Sequence, residues 1–353
     1  MLYRAHTRQV MVGAVPIGGG ASISIQSMTK TFTTDAAATI DQIKRLEDAG
    51  CEIVRIGVPD HESARSLEKI VPRVALPVVA DIHFDYRLAL AALETGIAKL
   101  RINPGNIGSR DRIEQVVNKV KERAIPIRIG VNAGSIEADL LEKYGRPTAA
   151  AMVESALRHS AILEELDFHD IVLSLKASSV PLTIEAHRLI AEQCRYPLHI
   201  GISESGIGES GIVYSSVGLG VLLHEGIGDT IRVSLTADPV EEVRVAKRIL
   251  ASLELRSFGP RIISCPTCAR NHIDLASIAA EVERRTIDLD TPINIAIMGC
   301  AVNGPGEARE ADFGIAGGDG AGLIFVKGEI VRKVKEQDLI DELEREIRRR
   351  VES

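Results

Sequence analysis

The chain has 353 residues, more than the roughly 100 to 200 residues of one ordinary core, which predicts two domains or one large barrel with an appendage. Hydrophobic residues make up 45% and aromatic residues 3% of the chain, which excludes disordered classes and argues against aromatic platforms for single-stranded nucleic acid. The formal net charge of −7 argues against nonspecific attraction to nucleic acid or anionic membranes, so any anion site is expected to be local.

The amino-terminal residues lack the apolar core of a signal peptide, and no apolar run approaches the roughly 20 residues that a membrane helix needs. We therefore expect a cytoplasmic protein. Five cysteines, an odd number, predict reduced thiols and a metal site rather than a disulfide framework.

Short β-branched runs alternate with amphipathic stretches of helical period between residues 23 and 253. The predicted strands are residues 23–28, 53–58, 77–82, 99–103, 126–132, 171–178, 197–203 and 230–235. The predicted helices begin near Ala38, His61, Asp85, Ser109, Thr148, Pro181, Ile212 and Pro239. Eight such βα units over about 230 residues favour a (β/α)₈ TIM barrel over an open doubly wound sheet.

The pattern changes near residue 254, so residues 1–254 are predicted to form the barrel and residues 255–353 a small α/β domain. This second part begins with a predicted strand over 261–265, followed by a helix over 273–285, a strand over 293–298 and a terminal helix from Glu336. The glycine-rich stretch 314–322 is predicted to be a turn between strands.

Basic side chains recur in five of the predicted barrel strands, and side chains two residues apart lie on the same strand face. These basic residues are Arg55, Arg101, Arg128, Lys176 and Arg232. Polar residues follow some of them on the same face, namely Asn103, Asn132 and Ser234. TIM-barrel active sites lie at the carboxyl ends of the strands, so converging cations there predict a phosphate or diphosphate ligand. The alternative is that each cation pairs with a carboxylate, since buried cations are costly without matching anions.

Three titratable residues are predicted at strand ends beside these cations: His83, His199 and Glu204. Each histidine is as readily a structural hydrogen-bonding residue as a ligand contact. Glu204 is the better candidate for a proton donor, because an acid among cations is not expected for stability alone.

The loop Gly206-Ile-Gly-Glu-Ser-Gly211 matches the dinucleotide-binding fingerprint. It belongs to the seventh βα unit rather than the first, and loops after strands seven and eight of a barrel often bind phosphate through backbone amides. A substrate phosphate loop is therefore favoured over a plain turn, and both are favoured over a dinucleotide site.

Three cysteines and a glutamate in the second part carry the strongest chemical signal: Cys265, Cys268, Cys300 and Glu307. Three thiolates can hold an iron–sulfur cluster, for which Glu307 is a candidate fourth ligand. Structural zinc, with His272 completing the set, fits the spacing equally well.

Six stretches of the sequence form a recognisable set of motifs. They are IQSMT at 25–29, VRIGVP at 54–59, ADIHF at 80–84, LRINPGN at 100–106, ISCPTC at 263–268 and MGCAVNGPGE at 298–307. With these motifs the chain resembles the bacterial 4-hydroxy-3-methylbut-2-en-1-yl diphosphate synthase family of the non-mevalonate isoprenoid pathway, in its two-domain form, over essentially its whole length.

The resemblance implies a TIM barrel followed by a small α/β iron–sulfur domain similar to the sulfite/nitrite reductase module. It implies a [4Fe–4S] cluster, rather than zinc, on Cys265, Cys268, Cys300 and Glu307. It further implies head-to-tail homodimers, in which the cluster of one subunit closes the barrel mouth of the other.

The implied reaction is the reductive ring opening and dehydration of 2-C-methyl-D-erythritol 2,4-cyclodiphosphate to (E)-4-hydroxy-3-methylbut-2-enyl diphosphate, with flavodoxin or ferredoxin as electron donor. Glu204 and Glu307 are the predicted catalytic residues. The predicted substrate-binding residues are Arg55, His83, Arg101, Asn103, Arg128, Asn132, Lys176, His199, Arg232 and Ser234. The alternatives are a non-redox barrel transferase acting on a diphosphate substrate, with a structural zinc domain, and a noncatalytic iron–sulfur carrier.

Overall fold

The structure is a computed structural model that describes residues 3–269, 271, 273–300, 310–318 and 320–351. The chain divides into two compact units, Met1–Arg256 and Ser257–Ser353. The division lies two residues beyond the boundary that the sequence suggests.

The first unit contains a short antiparallel hairpin followed by a parallel sheet of eight strands. In chain order the strands are β1 (Val10–Val12), β2 (Val15–Ile17), β3 (Ser24–Met28), β4 (Ile53–Gly57), β5 (Val78–Asp81), β6 (Lys99–Ile102), β7 (Ile127–Asn132), β8 (Ile171–Lys176), β9 (His199–Ile200) and β10 (Thr230–Ile231). Neighbouring strands follow the order β8-β7-β6-β5-β4-β3-β10-β9, and a bridge between Leu173 and Leu198 joins its two ends. The sheet therefore closes into the barrel that the eight βα units predict, and the predicted fold class is confirmed.

Helices connect these strands along the chain. They are α1 (Ala36–Asp48), α2 (His61–Ile70), α3 (Tyr86–Leu93), α4 (Pro104–Ile107), α5 (Arg110–Arg123), α6 (Ala138–Tyr144), α7 (Ala149–Glu164), α8 (Val180–Gln193), α9 (Gly208–His224) and α10 (Pro239–Ser252). Side-chain oxygens accept from backbone N–H groups at several of their starts, from Asp35, Asp60, Asp85, Thr148, Ser179 and Asp238. Each such cap contributes about 1 kcal/mol and fixes where the helix begins after its strand.

Two barrel strands are much shorter than predicted. β9 and β10 contain two residues each, whereas the sequence pattern suggests 197–203 and 230–235. Backbone bonds nevertheless continue beyond them, because Arg232 N donates to Ile200 O at 3.1 Å and Ser203 N donates to Ala177 O at 3.1 Å. The backbone beyond β9 and β10 is therefore still bonded to its neighbours, but it makes too few inter-strand hydrogen bonds to form a regular strand.

The hairpin β1–β2 is not foreseen by the sequence pattern. Its buried Val10, Val12 and Ile17 pack against Ile53, Val79 and Val172, which are inward-facing residues of the barrel. Ile53 begins β4 and Val79 lies near the start of β5, so this apolar cluster fills the amino end of the barrel. The polar interior described below is confined to the opposite end.

In its described residues, the second unit has a five-stranded sheet with two helices on one face. In chain order its elements are β11 (Arg261–Ser264), α11 (Leu275–Thr286), β12 (Asn294–Met298), β13 (Phe313–Gly317), β14 (Ala321–Val326), β15 (Glu329–Lys335) and α12 (Leu339–Val351). Strands β11, β12 and β13 are parallel, and β14 and β15 continue the sheet antiparallel.

The interpretation of residues 314–322 as a turn is wrong for most of that stretch. Ala316 pairs with Leu323 and Gly317 with Gly322 in an antiparallel register, so only the residues between 317 and 321 remain for the connection. Several glycines of this stretch lie within paired strands. The prediction failed because it took glycine as a signal of a turn.

Across the described residues, no helix is both long enough and apolar enough to span a membrane.

Candidate active site at the carboxyl end of the barrel

The five predicted cations lie on the inner face of the barrel. The register places Gly57, Asp81, Arg101 and Arg128 level with one another on four adjacent parallel strands. Side chains level in this way point to the same side of a parallel sheet, and Arg101 and Arg128 are both buried. Lys176 on β8 is also buried, at 7% exposure. The convergence predicted from strand alternation is therefore present.

Asp81 is the carboxylate around which two of these cations gather. Arg101 Nη1 lies 3.1 Å from Asp81 Oδ1, and Arg55 Nε lies 3.5 Å from Oδ2. Burial alone would raise the pKa of Asp81, but the guanidinium groups of Arg55 and Arg101 outweigh it and lower the pKa to about 2. Arg101 Nη2 also donates to Gly130 O at 3.0 Å, and a Cβ on Gly130 would lie 2.8 Å from Arg101 Nε. Glycine at 130 therefore makes room for the guanidinium.

Glu242 is a second buried carboxylate, and it pairs with cations on the other side of the mouth. Its Oε2 lies 3.4 Å from Arg232 Nη2, while its Oε1 lies 3.0 Å from Lys30 Nζ and accepts from Leu235 N at 3.0 Å. Ser27 Oγ donates to Oε2 at 3.2 Å. One carboxylate is thus shared by two cations, and Lys30 is a member of this network that sequence reasoning missed.

Arg128 and Lys176 have no carboxylate partner among the described residues. Nε and Nη1 of Arg128 are buried without any hydrogen bond there. Burial lowers the pKa of Lys176 well below its usual range, and the neighbouring Arg128 and Arg55 lower it further. Burial likewise lowers the pKa of Arg55 to about 10. Among the described residues, pairing with carboxylates therefore accounts for Arg55, Arg101 and Arg232 but leaves Arg128 and Lys176 unmatched. Unmatched buried cations are the electrostatic character of an anion site.

Lys99 is a sixth inner cation that the sequence reasoning overlooked. It precedes Arg101 by two residues on β6, so alternation alone places both side chains on the same face. Its side chain is 0% exposed, and its Nζ has no hydrogen-bond partner in the described part of the chain. Burial, followed by the repulsion of Arg128 and Arg55, lowers the pKa of Lys99 well below its usual range.

His83 lies at the mouth, where the sequence places it. Arg101 Nη1 donates to His83 Nε2 at 3.0 Å, and about half of the imidazole is exposed. Burial and then the charge of Arg101 lower the pKa of His83, so the imidazole is neutral at physiological pH. A neutral, half-exposed imidazole beside cations is able to contact a ligand.

The predicted polar partners also border the mouth. Asn103 Oδ1 accepts from Gly130 N at 3.0 Å, which fixes the buried amide between β6 and β7. Asn132 ends β7 in register with Lys176. Ser234 is half-buried, and its carbonyl accepts from the Ser205 hydroxyl.

His199 is not at the strand end that the sequence reasoning gives it. It is the first residue of β9, level with Thr230 at the start of β10. Its imidazole is fully buried, and neither ring nitrogen finds a partner among the described residues. His199 therefore begins a two-residue strand instead of lying at its carboxyl end, because β9 is much shorter than the predicted 197–203.

Glu204 lies exposed on the loop that follows β9. Its φ of 54° falls in the left-handed region, where a residue other than glycine is strained by roughly 1–3 kcal/mol. Such strain often marks functional positions. Helix α9 begins at Gly208, four residues earlier than predicted, so its first backbone N–H groups belong to the same loop. A glycine-rich loop that leads into a helix of a closed barrel agrees with a phosphate-binding loop. Dinucleotide-binding folds, by contrast, have an open sheet.

In the second unit, two of the predicted cluster ligands follow adjacent parallel strands. Cys265 comes directly after β11 and Cys300 two residues after β12, and Ser264 pairs with Ile297 in register. Cys265 is half-buried, Cys268 is exposed and Cys300 is buried. The thiols thus belong to loops at one edge of the sheet, which suits an iron–sulfur donor set.

Glu307 and His272 lie outside the described residues. Within the described residues, no three His, Cys, Asp or Glu side chains are grouped closely enough to hold a metal ion. The ligand set therefore remains a prediction from the sequence.

Comparison with known proteins identifies both parts of the chain. A family model described as the GcpE TIM-barrel domain matches residues 7–247, and one described as the GcpE protein C-terminal domain matches residues 261–349. A protein of Clostridium acetobutylicum named 4-hydroxy-3-methylbut-2-en-1-yl diphosphate synthase (flavodoxin) is 58% identical, covering 98% of this chain and 99% of that protein. A Bacillus anthracis protein of the same name is 59% identical, covering 98% and 95%.

Solved structures agree with the fold alone. N-acetylneuraminic acid synthetase from Leptospira borgpetersenii has a TM-score of 0.50 at 12% identity, covering 79% of this chain and 96% of that one. A truncated 3-deoxy-D-arabino-heptulosonate 7-phosphate synthase from Thermotoga maritima has a TM-score of 0.50 at 13% identity, covering 71% and 95%. The resemblance drawn from the sequence motifs is confirmed by the two family models and the full-length relatives, and the chain belongs to the GcpE family.

Proposed function

We propose that this protein converts 2-C-methyl-D-erythritol 2,4-cyclodiphosphate to (E)-4-hydroxy-3-methylbut-2-enyl diphosphate by reductive ring opening and dehydration. The observation that carries the proposal is the excess of buried cations at the barrel mouth, where Arg128 and Lys176 lack carboxylate partners among the described residues. A cyclic diphosphate supplies the missing negative charge in a compact form. The names of the full-length relatives point to the same reaction.

The inner residues of the barrel contact different parts of the substrate. Arg128 and Lys176 contact the diphosphate oxygens, because they have no carboxylate partner among the described residues. Arg232 joins them, because it shares the Glu242 carboxylate with Lys30. Arg55 and Arg101 are held by Asp81 and present a fixed guanidinium edge to the ligand. Asn103, Asn132, Ser234 and His83 orient the ring and its hydroxyl groups. His199 stays a proposed contact, because it is buried near Lys176 and Arg128 and its ring nitrogens have no partner among the described residues.

Cys265, Cys268, Cys300 and Glu307 hold a [4Fe–4S] cluster in this proposal. The donor chemistry and the shared sheet edge of Cys265 and Cys300 support the assignment. When bound, the cluster supplies the electrons that cleave the C–O bond. An oxygen ligand such as Glu307 is exchanged more readily than a thiolate, which is why it is counted among the catalytic residues. Thiols that are not joined in disulfides suit a reducing, cytoplasmic compartment.

Glu204 donates the proton that the departing hydroxyl needs. Its carboxyl is exposed on the loop after β9, within the ring of loops that carries the other proposed contacts. His83, which is neutral at physiological pH, donates a hydrogen bond rather than a charge. The proton therefore comes from a carboxyl group, with the diphosphate held by the cations.

Flavodoxin or ferredoxin supplies the electrons one at a time, and the protein works as a head-to-tail homodimer. Phe32, Phe84 and Ile207 are exposed on the loops that follow β3, β5 and β9, so three of the loops at the cationic mouth carry exposed apolar side chains. Exposed apolar side chains of this kind are typical of a surface that another protein covers. The cluster-bearing unit of a second copy is the proposed cover.

A non-redox transferase with a structural zinc domain is not favoured, because the full-length relatives carry a name that includes an electron donor. Anaerobic purification followed by iron, sulfide and zinc analysis tests the choice. About four irons per chain with broad absorption near ~400 nm, and turnover of the cyclodiphosphate with reduced flavodoxin, are expected. Stoichiometric zinc in a colourless protein after attempted cluster reconstitution would overturn the proposal. C268S is expected to lose iron, whereas C194S, which alters a thiol of the barrel, is expected to keep it.

A further inference from the structure

A buried histidine of α7 links two loops at the barrel mouth. Gly105 N donates to His159 Nδ1 at 3.0 Å, and His159 Nε2 lies 2.6 Å from Glu137 Oε1. Ser155 Oγ donates to the same Glu137 oxygen at 3.1 Å. The His159 side chain is only 5% exposed, so these bonds are shielded from water.

The two loops are those that carry the proposed ligand contacts Asn103 and Asn132. Gly105 lies in α4, two residues after Asn103, and Glu137 follows Asn132 by five residues. The imidazole fills the space beside Gly105 so closely that a Cβ there would lie 2.5 Å from His159 Cε1. Glycine at 105 therefore lets the ring reach the backbone N–H, and the contact depends on both partners.

The hydrogen bonds fix the tautomer of His159. Nδ1 accepts from a backbone N–H and so carries no proton, which leaves the proton on Nε2 facing the Glu137 carboxylate. Burial lowers the pKa of His159, the Glu137 carboxylate opposes this, and Arg158 adds to the lowering. The ring is therefore neutral at pH 7.

We propose that His159 is a positioning residue, which in its neutral Nε2–H form ties the Asn103 loop to the Asn132 loop and so sets the substrate affinity of the mouth. The inference rests on the proposed function in one respect, namely that Asn103 and Asn132 contact the diphosphate substrate. His159 itself touches neither substrate nor cluster in this role.

Protonation breaks the link. A doubly protonated ring has N–H groups at both nitrogens, so Nδ1 would face the Gly105 N–H as a second donor. The charged groups that act on the ring are Glu137 from the loop before α6 and Arg158 on its own helix. Below the pKa of His159 the Asn103 loop is released, and KM rises on the acid side of the profile.

Two variants of His159 distinguish the effect of its hydrogen bond to Gly105 N from the effect of its packing. H159F keeps the volume of the ring but has no acceptor, whereas H159N places an amide oxygen near the position of Nδ1. We expect H159F to raise KM for the cyclodiphosphate about fivefold with kcat nearly unchanged, and H159N to recover most of the affinity. The acid-side rise in KM is expected to disappear in both variants, since neither side chain titrates. H187N is the matched control, because His187 is a fully buried histidine on α8 whose Nδ1 bonds within its own helix, to Thr183 O at 2.8 Å.

Hydrogen exchange of the full-length protein gives a readout independent of turnover. The Gly105 amide is expected to be less protected, relative to its intrinsic exchange rate at the same pH, in H159F than in the wild type and H159N. In the wild type it is expected to be less protected on the acid side of the KM profile than at pH 7. Equal protection in H159F and the wild type would overturn the link, and a KM change of the same size in H187N would reduce His159 to a packing residue. Altered Gly105 protection in a protein that does not turn over the cyclodiphosphate would leave the link standing and place the failure in the proposed function.

Discussion

Lys99 and Arg101 point into the barrel from the same strand, yet among the described residues only Arg101 contacts a carboxylate. Its Nη1 lies 3.1 Å from Asp81 Oδ1, whereas Lys99 Nζ is buried without a partner there. The two side chains therefore contribute to stability with opposite signs, since a buried cation without a partner is costly and a paired one is costly to disrupt.

K99M is expected to raise the free energy of unfolding of the ligand-free protein by about 1–3 kcal/mol, because methionine fills the site without an unmatched polar group. R101M is expected to lower the free energy of unfolding by about 1–3 kcal/mol, because Gly130 O loses its donor and Asp81 loses its closer guanidinium partner. Denaturant unfolding of the full chain measures both. A clear loss of stability in K99M would mean that Lys99 carries its charge and has a bound counterion.

Asp81 predicts how stability depends on acid. Its pKa is lowered from 3.8 to about 2 in the folded protein, so the unfolded chain binds the proton first as the pH falls. The stabilisation of about 2 kcal/mol from this carboxylate is therefore fully present above about pH 4 and lost between about pH 4 and pH 2.

D81N removes this contribution. Unfolding measured from pH 7 to pH 2 is expected to show a wild-type advantage over D81N at neutral pH that vanishes at the acid end. D111N changes an exposed acid on α5 and serves as the control with no such crossing. Parallel curves for D81N and the wild type would contradict the ion-pair account of Asp81.

Replacement of Lys176 is expected to weaken substrate binding without lowering the stability of the fold. It has no carboxylate partner in the described part of the chain, so K176M removes repulsion from Arg128 in the free protein and attraction to the ligand in the complex. KM for the cyclodiphosphate is expected to rise about tenfold or more while the melting temperature stays the same or increases. K121M alters an exposed lysine that donates to Leu166 O and is expected to leave KM unchanged. An unchanged KM in K176M would remove this residue from the ligand site.

The inner cations could be predicted from the sequence because alternation along a strand is a local rule. Once the runs around Arg101 and Arg128 are recognised as barrel strands, their facing follows from the period of two. His199 shows the limit of this reasoning, since the same rule gives its face but not its depth, which depends on where β9 begins. His159 is beyond the rule altogether, because its partners Gly105 and Glu137 come from other parts of the chain. The hairpin β1–β2 is missed because three-residue strands carry too little periodicity to detect.

Replacement of Glu204 is expected to lower turnover while ligand binding is retained. Gln keeps the shape of the side chain and its hydrogen bonds but cannot donate a carboxyl proton, so E204Q is expected to lower kcat by about a hundredfold or more. Iron content per chain and the affinity for the product diphosphate, measured by calorimetry, are expected to stay at wild-type values, because the cations and cysteines are untouched. E209Q changes an exposed acid in the first turn of α9 on the same side of the barrel and is the matched control. Wild-type turnover in E204Q would exclude this carboxyl as the proton donor, whereas equal losses in E204Q and E209Q would indicate a general electrostatic effect of the loop.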